Sequence, residues 1–420
     1  MRQQLFLMRW LRVWMNLKIN RWRISVSRKD VVIVAAKRTP LGSFQGALSA
    51  LMATELGSIA IKGALESIHL SSEKVEEVYV GCVLPAGLGQ APARQASIGA
   101  GVPNTVPCTT VNKVCGSGMK SVMLAYDQLR AGETNVIVSA GMESMTNAPY
   151  LLEKARGGYR IGHGKIYDHM FYDGLEDAYH KGRLMGTFAE DTAEKYKFSR
   201  EDQDEFSRES ARRAMKAIET EAFQQEIIPV IIKSKKGEET VSVDETPTKI
   251  NIDKIAKLNP AFKEDGTVTA ASSASISDGA AAVVLMTADY AKENHYQPLA
   301  VIKGHATFAH DPEWFTTAPV GAIDKLLRKL DWDADDVDLF EINEAFAVVT
   351  MAAMHDHKIP HKKVNVNGGA CALGHPVGAS GTRLIVTLLH ALQNRGLKRG
   401  IATLCIGGGE AVALAIECCS

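Results

Sequence analysis

The sequence lacks the features that mark a membrane protein, a zinc protein or a nucleic-acid-binding protein. No apolar run reaches the roughly 18 residues that a membrane-spanning helix requires. The seven cysteines form no Cys-x-x-Cys pair, so we expect no zinc site. The formal net charge of the 420 residues is zero, which gives no reason to expect a nucleic-acid partner. The composition is that of an ordinary globular protein, and the chain is long enough for two or three domains.

Acidic residues are absent from residues 1–29, which carry eight of the 48 lysines and arginines. One interpretation is a mitochondrial-type presequence, although serine is scarce there. The other, which we favour, is an upstream extension of a bacterial protein whose ordered body starts near Asp30. The odd number of cysteines, without a secretory signal, indicates a reducing compartment. We therefore expect the cytoplasm, or the mitochondrial matrix if residues 1–29 are a presequence.

One stretch combines a cysteine with two closely following glycines, Val111-Asn-Lys-Val-Cys115-Gly-Ser-Gly-Met-Lys120. The next residues, 121–130, place apolar side chains at helical spacing. The pattern predicts an extended segment, a sharp turn and a helix with Cys115 at or near its N-terminus. A thiol at that end of a helix dipole has a lowered pKa and becomes a nucleophile. The alternative is a buried core cysteine, as most free cysteines are.

Two later stretches place further reactive side chains in glycine-rich turns. The first runs from Asn367 to Gly381 and contains His375, and the second is Cys405-Ile-Gly-Gly-Gly409. A nucleophilic cysteine needs a base and donors for an oxyanion, and these turns provide candidates for both. Each has a plainer interpretation: His375 as a turn residue, Cys405 as core, and Asn343 in Asn-Glu-Ala-Phe346 as a helix cap.

These four motifs, in this order, resemble those of the thiolase family, and the similarity runs from about Asp30 to about Glu417. The resemblance implies an α/β fold of two repeated βαβαβαββ halves stacked in five α-β-α-β-α layers. We assign residues 30–145 to the first half, completed by about 270–295, and residues 296–420 to the second. Residues 146–269 form an inserted loop domain over the active site. The alternative for that segment is a solvated helical appendage.

The pattern along the chain predicts the main elements and an internal repeat. Strands alternating with helices predict largely parallel sheets covered by helices. We expect a strand over 136–140 closed by residues 141–144, a short strand over 364–366, and helices over 188–196 and 200–219. A hairpin is predicted over 227–243, turning at Lys236 and Gly237. Because the two halves repeat, Cys115 and His375 should lie at matching helix starts and meet in one cleft.

The resemblance also implies the chemistry. Cys115 would be acylated by a thioester, His375 would take the thiol proton, and Cys405 would act on the proton beside a second thioester. Asn343 would hold a water that shares one oxyanion site with His375. The backbone N–H groups of Cys115 and Gly407 would form the other. Coenzyme A thioesters are the substrates, no metal or redox cofactor is needed, and a homodimer or homotetramer is expected.

The expected substrate-binding residues depart from the family pattern at some positions. The set is Leu184, Met185, Ala274, Ala345 and Phe346. Leu184 stands where several acetoacetyl-CoA thiolases have histidine, and Ala274 replaces a serine associated with the pantetheine arm. Glu410 follows the Cys405 motif where glycine is common. These differences concern cofactor contacts and not the reactive residues.

Three functions are compatible with the motifs. The first is reversible Claisen condensation of two acetyl-CoA to acetoacetyl-CoA through an acyl-cysteine. The second is a degradative 3-ketoacyl-CoA thiolase of broader chain length, and the third a non-catalytic thiolase-like protein that binds coenzyme A or lipid. Intact Cys115, His375 and Cys405 argue against the third. A ketoacyl synthase would need a second histidine where Cys405 stands.

Overall fold

The structure, a computed structural model, describes residues 30–235 and 237–419. The predictions for residues 1–29 therefore lie outside the described residues, as does Lys236 in the predicted hairpin turn. Within the described chain, no helix combines the length and apolar character needed to cross a membrane.

The described residues contain fourteen strands, which include the predicted strand over 136–140, with longer bounds, and the predicted hairpin within 227–243. They are β1 Val31–Arg38, β2 Gly42–Ser43, β3 Glu77–Gly81, β4 Cys108–Val111, β5 Val136–Ser144, β6 Tyr150–Leu151, β7 Tyr167–Asp168, β8 Val230–Ser234, β9 Gly237–Val241, β10 Ser277–Thr287, β11 Ala300–Ala309, β12 Leu339–Ile342, β13 Arg399–Ile406 and β14 Glu410–Cys418. Residues 141–144, expected to close β5, belong to it, because they pair with β10. The expected strand over 364–366 is wrong: only Val364 bridges to Phe340.

The main sheet has the order β4-β3-β5-β10-β1-β11-β14-β13-β12, with β2 beside β10. Its pairing is mixed, which corrects the prediction of largely parallel sheets. Among the described strands of this sheet, only β3 with β4 and β5, and β12 with β13, are parallel. The inner strands are antiparallel because they are not joined by helical crossovers: β10 follows the long middle segment, and β13 and β14 form a hairpin.

Helices cover both faces of this sheet. Their bounds are α1 Ala53–Ser67, α2 Pro92–Gly99, α3 Ser117–Ala131, α4 Met185–Tyr196, α5 Arg200–Glu219, α6 Ala288–Glu293, α7 Ala318–Leu330, α8 Ala347–His357, α9 Ala370–Leu373 and α10 Val377–Arg395. The start of α5 has the capping box that its sequence predicts, in which Ser199 and Asp202 bond reciprocally to each other's backbone N–H at 3.1 and 2.9 Å.

The sheet folds into two halves that join at β1 and β11, which pair only over Val32–Val301 and Ile33–Ala300. One hydrophobic cluster lies between the first half and α1 with α2, and another between the second half and α7. The third fills the space between the halves and contains α3 and α10. The molecule therefore has five layers, in the order helix, sheet, helix pair, sheet and helix, as the resemblance implies.

The two central helices touch backbone to backbone. A Cβ atom at Gly118 would lie 2.8 Å from the carbonyl oxygen of Gly378, and one at Gly381 would lie 2.2 Å from the nitrogen of Met119. Thr382 donates its hydroxyl to the carbonyl of Gly118 at 2.9 Å. Glycine is required at this crossing because any side chain would push α3 and α10, and the loops before them, apart.

Candidate active site

Cys115 lies in a tight loop between β4 and α3, two residues before the helix begins. The preceding Val114 has φ +46°, a left-handed conformation that a β-branched residue rarely adopts. Its N–H is bound by the Asn112 side chain at 3.0 Å, and its carbonyl accepts the Ser117 hydroxyl at 2.6 Å. Such strain persists only where surrounding bonds hold it, and it is typical of functional sites.

The Cys115 side chain is half-buried, and the backbone N–H groups of Gly407 and of Cys115 itself lie near its sulfur. Burial raises the pKa of this thiol to about 11, and the Glu143 carboxylate adds to the increase, while the two N–H groups oppose it. The lowered pKa expected from the helix start is therefore wrong. Loss of hydration disfavours the thiolate more than the backbone donors favour it.

His375 lies two residues before α10, as Cys115 does before α3, which matches the predicted repeat. The Ser380 hydroxyl donates to the Pro376 carbonyl at 3.0 Å, so its oxygen accepts from Nδ1 of His375 at 2.5 Å. This network assigns the proton to Nδ1 and leaves the Nε2 lone pair free to accept. Burial, followed by the charge of Arg383, lowers the pKa of His375 to about 3, so the imidazole is neutral.

Asn343 follows β12 directly and is fully buried. Its Nδ2 lies 3.3 Å from Nε2 of His375, and its N–H donates to the Thr403 carbonyl at 3.0 Å. Its Oδ1 is buried and has no partner among the described residues. The predicted pairing of Asn343 with His375 therefore has a geometric basis, and the shared water stays a prediction.

Cys405 is the penultimate residue of β13 and is fully buried. Burial raises its pKa far above the ordinary value, and the nearby Cys115 adds to the increase. The hairpin turn that follows contains Gly408 and Gly409, with φ +96° and +90°. A Cβ at Gly409 would lie 2.5 Å from the His310 carbonyl, so this turn requires glycine.

Nearly all the predicted site residues line one cavity of about 210 Å³. Its walls include the reactive residues Cys115, His375, Cys405 and Gly407, and the expected substrate-binding residues Leu184, Met185, Ala274, Ala345 and Phe346. Asn343 does not line the cavity and contacts its His375 instead. The sequence motifs, more than 250 residues apart at the extremes, thus meet at one place.

The rest of the cavity wall is mainly apolar, with Ser273 and Ser275 as further polar residues. Residues 146–269 contribute Phe171, Leu175 and Phe262 to its wall, besides Leu184 and Met185. The Ala274 N–H donates to the Ala345 carbonyl at 3.0 Å, which joins the two other substrate-binding segments. An apolar cavity with a few converging polar groups is typical of a small-molecule site.

The sequence reasoning missed Glu143, a fully buried carboxylate on β5. It accepts the N–H groups of Val83 and Gly378 at 2.9 Å and that of Leu84 at 3.2 Å. Burial raises the pKa of Glu143 to about 7, against the effect of these hydrogen bonds. The available signal was an acidic residue shortly after the apolar run 136–140, and a carboxylate is rarely buried without a role. Ser380, which orients His375, was quoted only as part of its motif.

Across residues 30–235 and 237–419, no three His, Cys, Asp or Glu side chains are grouped so that they could hold a metal ion. The seven cysteines are all free thiols. The chemical groups that the cavity provides are therefore two thiols, a neutral imidazole and backbone N–H donors. This set is suited to nucleophilic attack on a carbonyl carbon and to proton transfer beside it.

Comparison with known proteins covers nearly the whole described chain. The family profile of the thiolase N-terminal domain matches residues 31–289, and that of the thiolase C-terminal domain matches residues 296–418. An acetyl-CoA acetyltransferase of Chromobacterium violaceum is 48% identical over 390 residues, covering 92% of this chain and 99% of that protein. Acetyl-CoA acetyltransferase 2 of Arabidopsis thaliana is 49% identical over 396 residues, covering 94% and 98%.

Solved structures show the same similarity. A Bacillus anthracis acetyl-CoA acetyltransferase superposes with a TM-score of 0.90 at 42% identity, covering 93% of this chain and 98% of that one. A thiolase from Ascaris suum in complex with coenzyme A superposes with a TM-score of 0.87 at 40% identity, covering 93% and 100%.

Proposed function

This chain belongs to the thiolase family, and we propose that it is an acetyl-CoA C-acetyltransferase that reversibly condenses two acetyl-CoA to acetoacetyl-CoA and coenzyme A. The observation that carries the proposal is the meeting of Cys115, His375 and Cys405 around one apolar cavity. The names of the Chromobacterium and Arabidopsis relatives and the bound coenzyme A of the Ascaris structure support the substrate class.

The first half-reaction is acyl transfer to Cys115. Its sulfur attacks the thioester carbonyl of acetyl-CoA, and His375 takes the thiol proton at Nε2. The Gly407 and Cys115 N–H groups stabilise the negative charge that develops on the carbonyl oxygen. The bond from carbon to the sulfur of coenzyme A then breaks, and the departing thiolate takes the proton from His375. The acetyl group is left on Cys115.

The second half-reaction forms the carbon–carbon bond. Cys405 first gives its own proton to Nε2 of His375 and, as a thiolate, removes a proton from the methyl group of a second acetyl-CoA. The protonated Nε2 of His375, with a water held by Asn343, stabilises the enolate oxygen. The enolate carbon attacks the acetyl carbon on Cys115, the bond to its sulfur breaks, and the Nε2 proton of His375 passes to the Cys115 thiolate. Atoms and electrons balance without a metal or redox cofactor, and we propose that none is used.

The decisive experiment combines activity with mapping of the intermediate. After mixing with acetyl-CoA, mass spectrometry should find an acetyl group on Cys115, and Cys115→Ala should lose both this adduct and acetoacetyl-CoA thiolysis. An adduct on another residue would refute the assignment. Comparing thiolysis of acetoacetyl-CoA with that of a longer 3-ketoacyl-CoA distinguishes this activity from the degradative alternative, for which the longer substrate would react faster.

Cys405→Ser tests the division of labour between the two cysteines. A serine hydroxyl is a much weaker base than a thiolate, so condensation should slow by about a hundredfold or more. Acetylation of Cys115 should continue, because Cys405 acts only on the second substrate. Loss of acetylation as complete as in His375→Ala would contradict separate roles.

The assembly is inferred from the edge of the main sheet, and the location from the free thiols. β4 ends the main sheet of the described chain and pairs only with β3, so its outer edge is free to pair across a two-fold axis in a homodimer, or in a homotetramer built from such dimers. Seven free thiols suit a reducing compartment, for which we propose the cytoplasm, or the mitochondrial matrix if residues 1–29 direct import.

A further inference from the structure

An ion pair joins the two loops that carry the Cys115 and Gly407 N–H groups. The Lys113 ammonium, two residues before Cys115, contacts the carboxylate of Glu410, the first residue of β14. The two side chains are 21% and 35% exposed, so the pair lies at the boundary between the interior and solvent. Lys113 belongs to the first half of the fold and Glu410 to the second.

The two loops are in direct contact beside this pair. A Cβ atom at Gly116 would lie 2.4 Å from Cδ1 of Ile406, so the Ile406 side chain packs directly against the backbone of the Cys115 loop. Glu410 pairs with Ile406 across the hairpin that holds Gly407. A shift of Glu410 therefore moves the Gly407 turn, and a shift of Lys113 moves the strained Val114 and the Cys115 that follows it.

The separation of the two N–H donors depends on how these loops fit together. The Gly407 N–H lies close enough to the Cys115 sulfur to lower the pKa of that thiol, so both donors are near the atom that attacks the carbonyl. Preorganised donors stabilise a developing oxyanion only when their positions are held, and a displacement of about 1 Å can cost about a hundredfold in rate. The Lys113–Glu410 ion pair is a polar contact between these two loops, beside the packing of Gly116 against Ile406.

We propose that Lys113 and Glu410 are positioning residues, whose ion pair holds the Cys115 loop against the Gly407 turn and keeps the two oxyanion donors in register. This inference rests on the proposed thiolase activity. It gives a role to Glu410, the residue that follows the Cys405–Gly409 motif. Neither residue lines the cavity, so their effect is on geometry and not on substrate contact.

The test compares Glu410→Gln and Lys113→Met with a matched control. The control is Lys303→Met, which removes an ion pair with Glu417, 3.4 Å apart and 30% and 16% exposed, on β11 and β14 away from the cavity. We expect Glu410→Gln and Lys113→Met each to lower the kcat of acetoacetyl-CoA thiolysis about tenfold, with KM within about twofold of the wild-type value. The reason is that the two oxyanion donors are displaced and not removed. The control should keep the wild-type values.

Exchanging the two charges shows whether a loss of kcat in the single variants comes from the broken ion pair or from the substitution itself. Lys113→Glu combined with Glu410→Lys restores an ion pair between the loops and should recover kcat to within about threefold of wild type. Added salt screens a partly exposed pair, so it should lower kcat in the wild type and have a smaller effect in Glu410→Gln. Both results are expected only if the effect on kcat comes from the ion pair, and not from either charge alone.

Several outcomes would overturn the proposal. They are a kcat in Glu410→Gln equal to that of the control, no recovery in the exchanged variant, or equal salt dependence in both proteins. A rise in KM with unchanged kcat would assign the pair to coenzyme A binding instead. Failure of the proposed function looks different: the wild type itself would form no acetyl-Cys115 and cleave no acetoacetyl-CoA.

Discussion

At the scale of single residues, burial acts on Cys115 and His375 in opposite directions and leaves both neutral. It raises the pKa of the thiol to about 11 and lowers that of the imidazole to about 3. An ion pair between them is therefore unfavourable in the free site. In the proposed mechanism, the thiol proton would move to His375 as the substrate carbonyl accepts the charge, so the oxyanion donors would be part of the activation of the nucleophile.

This neutral state predicts the pH dependence of Cys115 alkylation in the free enzyme. Iodoacetamide reacts with the thiolate, whose fraction rises tenfold per pH unit below the thiol pKa. Because that pKa is raised, the rate should climb without a plateau from pH 7 to 9.5. Mass spectrometry of the Cys115 peptide gives the rate separately from the other cysteines. A plateau below pH 8 would show a thiolate stabilised at rest, as the helix-start argument first suggested.

At the scale of elements, the site is built from two equivalent helix starts. Both α3 and α10 begin two residues after a reactive side chain, and the close packing of Gly118 against Gly378 brings the two starts together. Glu143 accepts the Gly378 N–H in the first turn of α10 and also binds residues 83 and 84 after β3. The same carboxylate thus connects the first half of the fold to the His375 helix.

The loop before α3 requires the left-handed backbone conformation of Val114. Two substitutions distinguish the effect of this backbone conformation from the effect of the side chain. Val114→Gly adopts φ +46° without strain, so it should acetylate Cys115 within about threefold of the wild-type rate. Val114→Pro fixes φ near −65° and removes the N–H bound by Asn112, so acetylation should fall by more than about a hundredfold.

Val114→Ala is the matched control, because it keeps the strained backbone and removes only side-chain bulk. It should retain acetylation, and thermal melting should show that all three variants are folded. If Val114→Pro acetylated Cys115 as fast as Val114→Gly, the backbone conformation of this loop would not matter to the nucleophile.

At the scale of the molecule, the active site exists only where the two halves meet. Cys115 comes from one half, His375, Cys405 and Gly407 come from the other, and residues 146–269 supply much of the apolar wall. The matched motifs all lie between residues 31 and 418. Residues 1–29 contribute none of them.

A chain shortened to begin at Lys29 should therefore fold, assemble and cleave acetoacetyl-CoA as the full chain does. The first buried strand, β1, is held by pairing with β10 and β11. Light scattering and a thiolysis assay on both proteins measure this. A shortened protein that is monomeric or inactive would show that the basic segment belongs to the fold and that the boundary near Asp30 is misplaced.

Local structure and the identity of the reactive residues could be read from the sequence. The capping box at Ser199 and the periodicity of residues 200–219 depend on neighbours within one or two turns, and α5 has the predicted bounds. The motifs around Cys115, His375 and Cys405 likewise consist of contiguous residues. Their order along the chain was sufficient to indicate the family, the five layers and a shared cavity.

The tertiary structure alone decided the sheet pairing, the protonation states and the contact between the oxyanion loops. No local pattern shows that β10 lies between β1 and β5, or that Val364 makes only a bridge, because pairing depends on which distant strands meet. The pKa of Cys115 followed burial and not its helix start, since desolvation is a property of the whole surroundings. The Lys113–Glu410 contact spans 297 residues, and only folding brings those charges together.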